Sequence, residues 1–214
     1  MIIAIDGPAA AGKGTLARRL ADHFALALLD TGLLYRAVGM NVVRSGGDPE
    51  DVEYATKTAQ ALKPEDLKAD DLRTDIAADA ASKVSAVPGV RAALLDFQRN
   101  FAAQPPGGVN GAILDGRDIG TTVCPHADIK LFVTADVEVR AERRFKELQE
   151  RTSGAIYARV LADMKERDAR DQGRSASPLK PAEDALLMDT SQLDADQVFA
   201  ETLEYISKKQ EKTT

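Results

Sequence analysis

The densest chemistry in the chain lies at its start, where Gly7-Pro8-Ala9-Ala10-Ala11-Gly12-Lys13-Gly14-Thr15 follows the apolar run Ile2-Ile3-Ala4-Ile5-Asp6. Glycines let such a loop curl tightly, so that several backbone N–H groups point inward at an anion. A helix that starts at the end of the loop adds the positive end of its dipole. Lys13 is then spaced to reach the β- and γ-phosphates of a nucleotide, and a hydroxyl to face Mg2+. The usual pattern has Ser or Thr directly after the lysine; here Gly14 intervenes and the hydroxyl is on Thr15. An ordinary glycine-rich turn is the plainer reading. The strand-like run before the loop and the helix-spaced Leu16, Leu20 and Phe24 after it favour the phosphate site.

Three further clusters are chemically loaded. Asp115-Gly116-Arg117-Asp118 ends the apolar run Ala112-Ile113-Leu114. A carboxylate there suits Mg2+ or its waters, Arg117 offers a planar cation to an oxyanion, and Asp118 accepts hydrogen bonds from an amino group. A surface ion-pair turn is the alternative. Asp30-Thr31-Gly32-Leu33-Leu34-Tyr35-Arg36 offers a hydroxyl, an aromatic wall for a base pocket and a phosphate-binding guanidinium, though a purely structural role is equally open. Finally, eight of the sixteen arginines fall within residues 140–174, and Arg167, Arg170 and Arg174 are spaced to share a helix face. Phosphoryl transfer spreads negative charge over several oxygens, which surrounding cations stabilise. A salt-bridged, solvated helix pair is the alternative, because Glu and Asp alternate with these arginines. No Ser-His-Asp or Cys-His nucleophilic set emerges, which fits direct transfer to an acceptor that brings its own nucleophile.

These residues need a frame. Residues 2–6 read as a strand, followed by a helix to about residue 24. Residues 25–29 read as a second strand, with 30–32 as its exit turn and a helix over 33–45 ending at Gly46-Gly47-Asp48-Pro49. Residues 50–104 read as mostly helical. Pro64 and Pro88 start segments there, and Val90, Ala93, Leu94, Phe97 and Phe101 share one face. Strands follow at 112–115, 129–133 and 185–188. Helices follow at 136–150, 155–172 and 195–209, and 208–214 reads as a frayed tail. This alternation predicts an α/β fold, a parallel five-stranded sheet with helices on both faces, with ligands at the carboxyl ends of the strands.

Composition bounds the rest. The 214 residues support one domain with a sizeable core. A formal charge of −6 gives no general attraction to nucleic-acid polymers or anionic membranes. No apolar run reaches spanning length, and no signal-peptide pattern opens the chain. The single cysteine, Cys124, excludes an internal disulfide, so a cytoplasmic location is expected. His23 and His126 are too few and too far apart for a zinc site.

The chain resembles the bacterial cytidylate kinases nearly end to end. The resemblance rests on residues 7–15, on Leu-Asp-Thr-Gly-Leu-Leu-Tyr-Arg at 29–36, on Asp-Gly-Arg-Asp-Ile-Gly-Thr at 115–121 and on Lys-Glu-Arg-Asp-Ala-Arg-Asp at 165–171. It implies a P-loop kinase fold with a helical lid, and transfer of the γ-phosphoryl group of ATP to CMP or dCMP with Mg2+, by a monomer. Other acceptors, such as UMP, AMP or shikimate, are the alternative. By the same resemblance Gly7, Pro8, Ala9, Ala10, Ala11, Gly12, Lys13, Gly14 and Thr15 bind ATP phosphates, with Thr15 on Mg2+ directly or through water, and Arg140 and Arg144 lie towards adenine. Thr31, Tyr35, Arg36, Ser82, Arg91, Arg117, Asp118, Arg170 and Arg174 surround CMP. Within that set Ser82, Asp118 and Arg174 lie at the cytosine, and Arg36, Arg91 and Arg117 at the phosphate. Lys13, Asp115, Arg117 and Arg167 are the catalytic set. A core of 1–36, 105–138 and 175–214 then carries an acceptor-binding region, 37–104, and a lid, 139–174. Better-known members carry a small antiparallel β-subdomain in the acceptor region. Residues 56–75 here are too short and too polar for one, so a reduced, largely helical subdomain is expected.

Overall fold

The central strand is β1 (Ile2–Asp6), flanked by β3 (Ala112–Gly116) and β4 (Ile129–Thr134). The outer strands are β2 (Ala27–Asp30), beside β3, and β5 (Leu186–Asp189), beside β4. All four pairings are parallel. The computed structural model describes residues 1–151 and 154–211, with the backbone alone at Arg151.

The strands read as continuous apolar runs because both faces of the sheet are covered. Ile3, Ile5, Ile113, Leu131 and Val133 pack on one face beneath α1 (Lys13–Phe24) and α8 (Ala195–Glu211), through Leu16, Leu20, Val198 and Ile206. Ala4, Leu29 and Leu114 turn to the other face, against Ile119, Val123 and Ala102. Register then levels the strand ends: Asp6 pairs with Gly116, and Asp30 with Asp115. The three chemically loaded loops therefore leave the sheet side by side.

Several expectations change. The second strand begins at Ala27, because Ala25 adopts a left-handed φ of 51° as it ends α1. There is no exit turn at 30–32: extended Asp30 passes directly into α2 (Thr31–Arg44), so Thr31 opens a helix. In α5 (Pro88–Ala103) Phe97 is turned outward and 46 % exposed, while Gln98 and Arg91 take buried positions. The inner face of that helix therefore serves a polar site as well as the core. The tail is helical through Glu211, with Lys208 bonded to Glu204 one turn earlier; residues 212–214 lie outside the described residues.

The region 37–104 holds no strand among the described residues. It consists of α2, α3 (Val52–Gln60), two 3₁₀ turns at 64–68 and 70–73, α4 (Asp75–Val84) and α5. Its own core joins Leu34, Val38, Val42, Ala81, Val84, Val90 and Leu94. Helices α6 (Val137–Arg151) and α7 (Tyr157–Gln172) pack through Ala141, Val160 and Met164.

Candidate active site

The loop after β1 is forced into shape by its neighbours. A Cβ at Gly7 would collide with the Val133 carbonyl, and Gly12 has a left-handed φ of 91° as it caps α1. Ala10 also adopts positive φ, 58°, a strained choice for a residue with a Cβ. No side chain caps α1, so the first-turn N–H groups, ahead of the Leu16 N–H bonded to Gly12, are left to an external acceptor. The loop is clamped from behind. The Thr190 hydroxyl lies 3.1 Å from the Ala11 carbonyl, and Arg140 donates to Ala9 at 3.3 Å.

Lys13 is 6 % exposed, donates to the Pro8 carbonyl at 2.8 Å and lies 4.0 Å from Asp115. Burial, reinforced by Arg117, pushes its ammonium down to about 7. Burial also raises the Asp115 carboxyl, against the pull of Lys13. A Cβ at Gly14 would lie 3.5 Å from Asp115 Oδ2, so the missing side chain keeps space open beside that carboxylate. The Thr15 hydroxyl is exposed on the first turn of α1.

The Asp115–Asp118 loop is buried rather than a surface ion-pair turn. The two oxygens of Asp6 accept from the amides of Ile119 at 2.8 Å and Gly120 at 2.7 Å, which fixes the π-helical turn at 119–123. Asp118, 4 % exposed, is ion-paired with Arg91. Arg91 also donates to Ser85 at 3.3 Å and lies 5.5 Å over the Tyr35 ring. Arg117 bonds Asp171 at 3.0 Å, and Asp171 is also paired with Arg174. Burial alone would raise the Asp171 carboxyl, but Arg117, Arg174 and Arg167 outweigh it and hold it below the usual carboxylate range. The Thr31 hydroxyl donates to the Asp115 carbonyl at 2.8 Å, tying α2 to β3.

These side chains converge on an inner cavity of about 340 Å³. Its walls include residues 9–15, Thr31, Tyr35, Arg36, Ser82, Arg91, Asp115, Arg117, Asp118, Arg167 and Arg174. Three buried polar atoms in those walls have no hydrogen-bond partner among the described residues: Ser82 Oγ, Arg167 Nε and Arg174 Nε. Such orphans are costly unless a ligand engages them. Arg167 makes no ion pair among the described residues, and burial beside Arg117 lowers it to about 10. Cations outnumber carboxylates in this lining, and several of the carboxylates are themselves paired with its arginines.

Some expected residues sit elsewhere. Gly7 and Pro8 shape the loop from behind without lining the cavity. Arg140 is buried, bonded to Ala135, Ala9 and Asp168. Arg144 pairs with Asp75 and Glu147, and Arg170 with Asp79 and Glu166. Both line an outer cleft of about 1050 Å³ between α4 and the helices α6 and α7. The three arginines of 167–174 therefore do not act as one face: Arg170 turns outward, and Arg174 lies past the end of α7. Sequence reading missed Asp6, Asp168 and Asp171. A carboxylate closing an apolar strand, and one placed i+4 from Arg167 and i−3 from Arg174, were available as signals for Asp6 and Asp171. Asp168 has none, since its partner Arg140 is on another helix.

Comparison with known proteins agrees with this geometry. The cytidylate kinase family model matches residues 3–208. A cytidylate kinase of Paramagnetospirillum magneticum is 67 % identical over 97 % of this chain and 98 % of its own. Another from Rhodospirillum rubrum is 56 % identical over the full length of both. Among solved structures, an uncharacterized protein of Eubacterium ventriosum superposes with TM-score 0.57 at 16 % identity, covering 97 % of this chain and 98 % of that one, a likeness of fold alone. With that model matched over residues 3–208 and a relative 67 % identical over 97 % of its length, the chain belongs to the cytidylate kinase family.

Proposed function

We propose that the protein transfers the γ-phosphoryl group of ATP to CMP or dCMP, giving ADP and CDP or dCDP. The observation that carries this is the convergence of Lys13 and its loop with Ser82, Arg91, Arg117, Asp118 and Arg174 in one cavity. Cytosine presents an amino donor beside acceptor atoms. Asp118 accepts from that amino group, and Arg91, expected at the monophosphate, is held beside Asp118 and so is assigned to the adjacent base acceptors instead. Uracil would set a carbonyl against Asp118, which disfavours UMP. Ser82 Oγ, unpaired and buried, is a further contact to the nucleotide. Arg36 and Arg117 hold the monophosphate, Arg117 being oriented by Asp171.

On the donor side, the α1 N–H groups and Lys13 hold the triphosphate. The residues also fit Mg2+: the exposed Thr15 hydroxyl and the Asp115 carboxylate flank the loop mouth. Held there, Mg2+ would supply positive charge against the donor phosphates. Arg167 and Arg117 stabilise the charge of the transferred group, and burial magnifies their effect. The core, acceptor-binding region (37–104) and lid (139–174) act as one catalytic unit, a cytoplasmic monomer. No helix among the described residues is long and apolar enough to cross a membrane.

The test is ADP release, coupled to a reporter, over CMP, dCMP, UMP, AMP and shikimate. Turnover should be greatest with CMP or dCMP. A protein inert towards both, or faster with UMP, AMP or shikimate, would overturn the reading.

A further inference from the structure

Helix α4 presents one face to the lid. Asp75, Asp79 and Ser82 recur along it at i, i+4 and i+7, and so stand above one another. Ser82, whose buried hydroxyl has no partner among the described residues, lines the inner cavity. The two aspartates reach across the outer cleft: Asp75 to Arg144 on α6, and Asp79 to Arg170 on α7 at 3.1 Å. Neither bond is local, since the partners lie 69 and 91 residues apart in the chain.

Each side of this contact is a firmly built body. Gly39 lets α2 and α4 touch backbone to backbone, because a Cβ there would lie 2.8 Å from Ala80. Helix α4 therefore moves with Tyr35 and Arg36 of α2. Helices α6 and α7 are joined by their apolar seam and by Arg140–Asp168 at 2.6 Å. Arg170 stands one turn from Arg167 on α7. The rest of the cleft is wide, with Ile76 and Ile156 on its walls 64 % and 62 % exposed. The ion pairs are the described polar links between α4 and the lid helices across that cleft.

We propose that Asp75 and Asp79 are positioning residues for the transfer reaction. They clasp Arg144 and Arg170, so that seating of the acceptor against Ser82 and delivery of Arg167 over the transferred phosphoryl become one event. This assigns Arg144 and Arg170 to closure rather than to contact with either nucleotide. It also supplies a coupling device in a chain whose acceptor region lacks a β-subdomain. The proposal rests on the CMP kinase reading, and its test separates the two: wild-type turnover of CMP tests the reading, and the variants test the clasp.

Asp75 and Asp79 are 63 % and 51 % exposed as side chains, so their replacement spares the core. Exposed pairs are individually weak, and two lost together shift a closure equilibrium about fivefold. Asp75→Asn/Asp79→Asn is expected to raise the KM for CMP by about that factor, and Asp75→Lys/Asp79→Lys, which replaces attraction by repulsion, by about tenfold or more. Both should melt within a few degrees of wild type. CMP-induced protection of α7 amides from hydrogen exchange should fall in parallel. A charge swap gives the control, made with Lys83→Gln and Glu166→Gln because these side chains also pair with Asp79 and Arg170: Asp79→Arg and Arg170→Asp should each impair turnover of CMP, and the double swap should recover most of the loss. If the doubly reversed variant keeps KM, kcat and exchange protection within twofold of wild type, or the swap is no better than its single parents, the clasp is refuted.

Discussion

Asp6, at the end of β1, and Lys13, at the start of α1, are both buried ionisable groups, and burial moves their equilibria in opposite senses. Lys13 titrates near 7 rather than 10.5. Below about pH 7 the native state must bury a charge that the unfolded chain exposes to water, and the penalty fades as pH rises from 7 towards 10.5. Lys13→Met is therefore predicted to lower kcat for CMP by a hundredfold or more, on the order of one lost charge-stabilising contact. The same variant should melt about 3 °C or more above wild type at pH 6, a gain that shrinks towards pH 10. Activity that survives the substitution would remove Lys13 from the chemistry. Asp6 titrates near 7 rather than 3.8, so the native state keeps a proton that the unfolded chain releases between those values. Its stabilising contribution is greatest below about pH 4 and is lost as pH rises through 7. Wild type should therefore exceed Asp6→Asn in melting temperature by more at pH 5 than at pH 8. Asp6→Asn also sets a side-chain N–H against one of the two backbone amides of the 119–123 turn. The KM for CMP is predicted to rise about tenfold as Arg117 and Asp118 lose their fixed loop. A KM that stays put would show that the turn holds without Asp6.

At the scale of elements, the contact that matters most is α2 against α4. Their close crossing at Gly39 and Ala80 places Tyr35 and Arg36 from one helix beside Ser82 from the other. Gly39→Val forces the backbones apart and is predicted to cost about 2–3 kcal/mol in denaturant unfolding. It should weaken CMP far more than ATP, because the loop proposed for ATP lies between β1 and α1, away from this crossing. Equal loss for both substrates would mean that α2 and α4 do not form a separate acceptor-binding unit. The element order was largely legible beforehand. Alternating apolar runs and helical spacings marked all five strands, and the polar stretch 56–75 foretold the absence of strands over 37–104 among the described residues. The errors came where local signals compete. Asp30-Thr31-Gly32 has turn composition, yet β2 runs straight into α2 because Leu34 and Tyr35 must be buried within the first turns. Phe97 looks like core, yet the buried positions beside it go to Gln98 and Arg91.

For the whole molecule, the three regions should respond to ligands as one. A bisubstrate analogue linking adenosine to cytidine through phosphates, at a hundred times its Kd, is predicted to stabilise the protein by about 2.7 kcal/mol. In calorimetry this should appear as a single transition shifted upward by about 5–10 °C. Two transitions, with only one shifted, would show that lid and acceptor region unfold apart. Sedimentation should give one species near 23.0 kDa.

What the amino-acid order determined unaided is what depends on near neighbours in the chain. Lys13 stands at a fixed spacing from Gly7 and Gly12, and the strand-then-helix pattern says that this loop opens at the carboxyl end of a sheet. Family motifs added the acceptor. What only the tertiary structure decided is how the charges are shared out. Sixteen arginines look interchangeable in one dimension. Folded, Arg140 is spent on Asp168, Arg144 and Arg170 reach to α4, and Arg117 and Arg174 share Asp171, while Arg167 meets no carboxylate partner among the described residues. Apart from Arg174 with Asp171, three residues away, those pairings join residues tens of positions apart, and an ion pair depends on distance and burial, which spacing along the chain does not encode.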